Sequence, residues 1–208
     1  MNASAEHADA PPGPQRILVG TTNAAKLREI AGILERLPIE LVSLGDFANI
    51  PEPGETGTTF ADNARLKALY YHRMTRLPSV ADDSGLEIDA LGGAPGVHSA
   101  RWEGSDYAVK FRKIYEMLDA RNARGSSARF VCCVAFADEG RILFESAGVI
   151  EGTIADEPRG DQGFGYDPIF FYPPLGRTTA ELDRDLKATV SHRGKAFAAL
   201  RDYLSQGH

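Results

Sequence analysis

Three features of this 208-residue sequence predict an α/β fold built on a mixed sheet. Short β-rich runs alternate with amphipathic helical segments through the first half. The chain opens as strand, helix, strand. In the second half two β-rich runs follow one another across a tight turn, which adds antiparallel pairing.

Arg16 to Gly20 (RILVG) is the first apolar, β-forming run, and Thr21-Thr22-Asn23 after it can cap a helix. Leu27, Ile30, Ala31 and Leu34 then recur at the spacing of one helical face. Ile39 to Leu44 reads as a second strand, and prolines and glycines between 51 and 57 mark a loop. Thr58 or Thr59 caps a second helix expected to run to about Leu77. Ser79 to Ala81 reads as a strand ending at Asp82-Asp83, with loops and short strands through 84 to 105. Tyr107, Phe111, Ile114 and Leu118 place a third helix over 106 to 120. Ala128 to Ala137 and Arg141 to Ile150 form a hairpin across Asp138-Glu139-Gly140. Ser191 caps a last helix that turns Phe197, Leu200 and Leu204 to the core, while His7 and His72 read as solvated.

Composition narrows the function. The 29 acidic and 23 basic residues leave a net charge of −6, which argues against a protein that coats nucleic acid. No run approaches the ~20 apolar residues of a membrane span. Residues 1–15 hold no Lys or Arg and are rich in proline, so a disordered tail is expected, followed by a single domain over 16–205. Cys132 and Cys133 are adjacent, which is poor disulfide geometry, so two reduced thiols and a cytoplasmic setting are expected. Zinc-spaced Cys/His clusters, a serine-hydrolase elbow and a Walker loop are all missing from the sequence.

Four segments could carry chemistry. Thr21 to Lys26 joins a strand to a helix N-terminus, where backbone N–H groups attract anions, although spacing alone also fits a capped helix with a solvated lysine. Glu55 lies in a loop before Asn63 and Lys67, which share one helical face; a solvated, ion-paired face is the plainer reading there. Asp82-Asp83-Ser84-Gly85 offers adjacent carboxylates pointing in different directions, as a hard cation such as Mg²⁺ and a bound water require; an Asx turn is the alternative. In Gly163 to Pro168 glycines flank an aromatic, as close stacking on a flat base needs. The segment Ser191-His192-Arg193-Gly194-Lys195 sets cations at a helix start, against the helix dipole, so either function or a basic surface patch explains it.

The blocks TTNAAK, GETGTTFADNARLKA, ADDSGLEIDALGGAPGVHSARW, PRGDQGFGYDPIF, TAEL and SHRGKA, in this order between Arg16 and Leu204, closely resemble the inosine triphosphate pyrophosphatase (Ham1-like) family. The resemblance implies an elongated mixed sheet flanked by helices, with two lobes and a cleft between them, and a homodimer. It implies Mg²⁺-dependent cleavage of deaminated purine nucleoside triphosphates (ITP, dITP, XTP) to monophosphate and pyrophosphate. By motif position it makes Asp83 the catalytic carboxylate and puts Glu55, Asp82 and Asp83 around the metal. Substrate contacts fall on Thr21, Thr22, Asn23, Ala24, Ala25, Lys26, Lys67 and Ser84, with Phe164, Gly165, Tyr166, Asp167, Lys187, His192 and Arg193 along the base wall. Thr22 stands where the family commonly has glycine, and His98 where tyrosine is more frequent. Two other readings predict different behaviour: a Maf-like pyrophosphatase acting on other nucleotides, and a nucleotide sensor that releases no pyrophosphate.

Overall fold

A computed structural model describes residues 14–206. Most of the tail predicted for 1–15, and His7 with it, lies outside these residues; Gln15 already belongs to the first strand.

Seven strands form one sheet in the order β2-β1-β3-β4-β5-β6-β7. β1 (Gln15–Val19) runs parallel to both β2 (Ile39–Ser43) and β3 (Ser79–Ile88). β4 (Ser127–Asp138), β5 (Arg141–Ile154), β6 (Phe170–Tyr172) and β7 (Arg177–Thr178) continue it antiparallel. The sheet is therefore mixed, as the element pattern predicts. Glu139 and Gly140 both take positive φ, 51° and 76°, as a two-residue hairpin turn between β4 and β5 demands.

Each main helix starts on a side-chain cap. In α1 (Ala24–Leu34) Asn23 Oδ1 accepts from the N–H groups of Ala25 and Lys26, at 2.9 and 3.1 Å. Thr59 caps α2 (Phe60–Thr75) and Asp106 caps α3 (Tyr107–Asp119). Asp183 caps α4 (Arg184–Val190), and Ser191 both ends α4 and caps α5 (His192–Ser205).

One face of the sheet carries two cores end to end. Ile17, Val19, Val80, Val134 and Phe136 pack with Ile30, Leu34, Phe197 and Leu200 of α1 and α5. Leu86, Ile88, Phe130 and Ile150 pack with Ile114 and Leu118 of α3 and with Phe170. On the opposite face α2 lies close over an alanine-lined patch of Ala64, Ala68, Ala81, Ala135 and Ala137. Between Val80 of the first core and Leu86 of the second, β3 contributes Asp82 and Ser84 to the same face.

The structure corrects several expectations. β3 does not end at Asp82-Asp83; all ten of its residues pair with β4, from Ser79↔Ala137 to Ile88↔Ala128, so both carboxylates sit mid-strand. α2 stops at Thr75, where Arg76 turns left-handed at φ 62°. β5 extends to Ile154, and β6, β7 and α4 were not foreseen. His72 is not solvated: Nδ1 donates to the Leu77 carbonyl at 2.8 Å, and Nε2 accepts from the Gly140 N–H at 3.0 Å.

Candidate active site

Because side chains alternate along a strand, Asp82 and Asp83 leave β3 on opposite faces. Asp82 turns toward α1 and α5. Its Oδ2 accepts from Lys26 Nζ at 2.9 Å and from Arg193 at 3.3 Å, with the Cys132 thiol at 3.8 Å. Burial pushes its pKa up, but Lys26, Arg193 and Lys67 outweigh burial and hold it well below the carboxylate range. Asp83 turns toward α2, where Asn63 donates to Oδ2 at 3.0 Å and Lys67 Nζ lies 3.4 Å from Oδ1. Here the balance is reversed. Burial, aided by the negative charge of Glu55, raises the pKa of Asp83 against the pull of Lys67 and the Asn63 hydrogen bond.

Lys67 joins Asp83 to a third acid, Glu55. Its ammonium reaches Glu55 Oε1 at 3.0 Å as well as Asp83, and Arg101 binds Glu55 Oε2 at 2.6 Å. Burial works against ionising Glu55, yet Lys67 and Arg101 leave its pKa lowered. Burial likewise opposes the charge on Lys67, while Asp83, Asp82 and Glu55 raise its pKa overall.

The other end of the site is organised by α4 and α5. Lys187 Nζ bonds Asp167 at 2.6 Å and Glu29 at 2.8 Å; Arg193 bonds Glu29 at 2.7 Å and Ser84 Oγ at 2.8 Å. Asp167 also accepts from the Phe164 N–H at 2.7 Å and from Thr179 Oγ1 at 2.9 Å, which fixes the Gly163–Asp167 turn. Both cations lie near the Phe164 ring, 5.2 Å (Lys187) and 5.5 Å (Arg193) from its centroid. The two-cation start of α5 resolves physically. Arg193 is answered by Asp82 and Glu29, and buried His192 stays neutral, its pKa driven far down by burial and then by Arg193 and Lys187. His192 stacks on Phe130 with centroids 4.7 Å apart. Two glycines permit the close packing that holds these residues. A Cβ on Gly148 would stand 2.0 Å from the His192 carbonyl, and one on Gly194 would stand 1.8 Å from that of Ala188.

Most predicted residues meet at one cleft of about 120 Å³, lined by Asn23, Lys26, Glu55, Asp83, Ser84, Phe164, Gly165, Tyr166, Asp167, Lys187, His192 and Arg193. A groove of about 640 Å³ between α1 and α4 adjoins it and shares Phe164 and Lys187, with Ala25 on its wall. Lys67 reaches the cleft through Glu55 and Asp83. The start of α1 differs from the expected anion site: the Ala25 and Lys26 N–H groups are already taken by Asn23, and Lys26 points at Asp82. Thr21 Oγ1 accepts from the Asn23 N–H, and Thr22 donates to Glu52, so these threonines shape the β1–α1 loop; Ala24 opens the helix. Asp82 lies across the strand from Glu55 and Asp83 and is not brought together with them.

Sequence reading missed Glu29, although it follows Lys26 by three residues and so shares its helical face. It missed Arg101 as the second partner of Glu55. It also missed Tyr107, Phe130 and Ser99 on the cleft wall.

The fold and cleft define an α/β protein whose paired charges and aromatic wall suit a polyanion carrying a flat ring. The profile of the Ham1 family matches residues 17–203, and the chain belongs to that family. It is 46% identical over 191 residues to the dITP/XTP pyrophosphatase of Geobacter sulfurreducens, covering 91% of this chain and 96% of that one. With the dITP/XTP pyrophosphatase of Escherichia coli (strain K12) the identity is 41%, over 93% of this chain and 100% of its relative. Among solved structures, a HAM1 protein from Coxiella burnetii is similar with a TM-score of 0.85 and 41% identity, over 92% of this chain and 99% of that one. A nucleoside-triphosphatase / dITP/XTP pyrophosphatase from Mycobacterium abscessus is similar at TM-score 0.71 and 43% identity, over 89% and 98%.

Proposed function

We propose that this protein hydrolyses deaminated purine nucleoside triphosphates such as ITP, dITP and XTP to the monophosphate and pyrophosphate, with Mg²⁺. Family membership supports the reaction class, and curated relatives carry the name dITP/XTP pyrophosphatase. One observation carries the mechanism: Asp83, a buried carboxylate with a raised pKa, stands between Lys67 and Asn63 on the cleft.

Asp83 orients the attacking water and accepts its proton, a role that a carboxylate displaced toward neutrality performs better than an ordinary one. Lys67 and Lys26 supply fixed positive charge for the phosphates. Glu55 and Asp83 fit a metal. Both are hard oxygen donors and both converge on Lys67 Nζ, at 3.0 and 3.4 Å. The described residues hold no cluster of three acidic or imidazole ligands, and two carboxylates match Mg²⁺, which draws its remaining ligands from waters and phosphates. When bound, Mg²⁺ would neutralise phosphate charge. Asp82 is better read as the counter-ion that holds Lys26 and Arg193 in place.

Phe164 offers its face to the base. Arg193 lines the cleft beside Phe164 and donates to Ser84 Oγ at 2.8 Å, which places a guanidinium donor where an acceptor on the ligand, such as the 6-oxo group of hypoxanthine or xanthine, would arrive. An adenine amino group at that position would leave it unanswered. Arg193→Ala should therefore lose preference for ITP over ATP. A homodimer and a cytoplasmic setting complete the proposal; the free Cys132 and Cys133 thiols support the latter, and no described helix is long and apolar enough to cross a membrane. The test is pyrophosphate release from ITP, XTP, GTP, ATP and dTTP, with and without Mg²⁺. Magnesium-dependent cleavage of ITP and XTP over GTP and ATP is expected. Preference for dTTP would indicate Maf-like chemistry, and no release from any nucleotide would indicate a sensor.

A further inference from the structure

Around the cleft the charges are matched. Lys26, Lys67, Arg101, Lys187 and Arg193 all pair with carboxylates drawn from Glu29, Glu55, Asp82, Asp83 and Asp167. One further cation stands outside this balance. Lys110, in the fourth position after the Asp106 cap of α3, is fully buried and makes no ion pair among the described residues. Its ammonium donates to two backbone carbonyls, Ser99 at 3.0 Å and Ala100 at 2.8 Å. The Tyr107 ring lies 4.4 Å from Nζ, and the Tyr166 ring 5.6 Å. Ser99, Ala100, Tyr107 and Tyr166 all line the cleft.

A buried ammonium held only by carbonyls and ring faces is an expensive way to close a core, because no counter-ion offsets its lost hydration. Desolvation is the sole cause acting on Lys110, and it pulls the pKa down. Nor does the fold need the charge for hydrogen bonding. The Ser99 carbonyl already accepts from Tyr166 Oη at 2.9 Å, and Ala100 is exposed to water. A methionine would fill the same volume without the desolvation cost.

We propose that Lys110 is a substrate-positioning residue: an unpaired buried charge that fixes the Ser99–Ala100 wall and is answered by the anion arriving in the cleft. The inference rests on the nucleotide reading of this site. It requires that the lysine harm stability while helping binding, the reverse of what a structural residue does.

The experiment compares Lys110→Met and Lys110→Gln in an Asp83→Asn background, with ITP binding read by calorimetry and unfolding by thermal melt. Both variants should melt no lower than their parent yet bind ITP about tenfold or more weakly, the scale of one charge acting across a partly buried site. In the Asp83-intact enzyme the same change should appear in KM with kcat nearly constant. Gln keeps amide donors for the two carbonyls, so full restoration of binding by Lys110→Gln would overturn the role of charge. A fall in melting temperature with unchanged affinity would overturn the proposal outright and leave Lys110 structural. Failure of both this parent and the Asp83-intact enzyme to bind ITP, measured without Mg²⁺, would instead overturn the nucleotide reading.

Discussion

Asp83→Asn separates chemistry from binding. The amide has the carboxylate's shape, so its Oδ1 can still accept from Asn63, now 3.0 Å from Oδ2 of the acid. Lys67 keeps Glu55 at 3.0 Å as a counter-ion. What disappears is a proton acceptor, and general-base loss lowers turnover by at least about 10²-fold, or ~2.7 kcal/mol on the barrier. In the absence of Mg²⁺, binding should hold or tighten, because one of the two carboxylates around Lys67 has lost its charge; the calorimetry is therefore run metal-free, since Asp83 is also one of the two carboxylates that would hold the ion. Stability follows from the sign of the pKa shift. A carboxyl whose folded pKa is raised favours folding in its protonated form, and that contribution is lost as pH rises through the folded value. At neutral pH the neutral amide therefore avoids a penalty, and Asp83→Asn should melt at or above the wild-type temperature. The assays are steady-state pyrophosphate release from ITP, calorimetric ITP binding and a thermal melt. The acid limb of the kcat/KM profile, set above the ordinary aspartate value of 3.8, should vanish with the carboxylate. Turnover within tenfold of wild type, with the acid limb intact, would take Asp83 out of the mechanism.

Asp82→Asn should behave in the opposite way. It strips Lys26 of its partner and leaves Arg193 with Glu29 alone, at a cost of about 3 kcal/mol or more in urea unfolding at neutral pH. The pKa of Asp82 is depressed, so its contribution is present above the ordinary 3.8 and fades only as pH falls through the lower folded value; the stability gap between variant and wild type should narrow in strong acid. Phe164→Ala should raise KM for ITP about 5- to 150-fold through loss of a stacking surface worth ~1–3 kcal/mol, with kcat changed less. An unchanged KM would move the base away from this ring.

The parts of the molecule governed by local rules could be read from sequence. Asn23, Thr59 and Ser191 are short polar side chains placed before apolar stripes, and each caps the helix expected of it; Asp106, expected inside the third helix, is its cap. The end of β3 could not be read that way, because Asp-Asp-Ser-Gly has turn composition. Only partners remote in sequence, Lys26, Lys67 and Arg193, make buried aspartates tolerable mid-strand. β6, β7 and α4 are too short to show a period, and β6 forms by pairing with the far end of β5. Lys110 did leave a trace. It falls inside the stripe set by Tyr107, Phe111 and Ile114, where a solvated lysine has no place.

The β3 ladder also carries information of another kind. Asp82 and Asp83 are chemically identical neighbours, one held well below the ordinary carboxylate range and the other raised above its ordinary value. Position along the strand separates their direct partners: Asp82 bonds the cations of α1 and α5, while Asp83 bonds Asn63 and Lys67 beside Glu55. A slip of β3 by one residue that put Asp83 where Asp82 stands would bring Ser84 beside Lys67 and leave no carboxylate of β3 there. The β3–β4 register thus decides which of two identical side chains meets Lys67 and Asn63 and which meets Lys26 and Arg193.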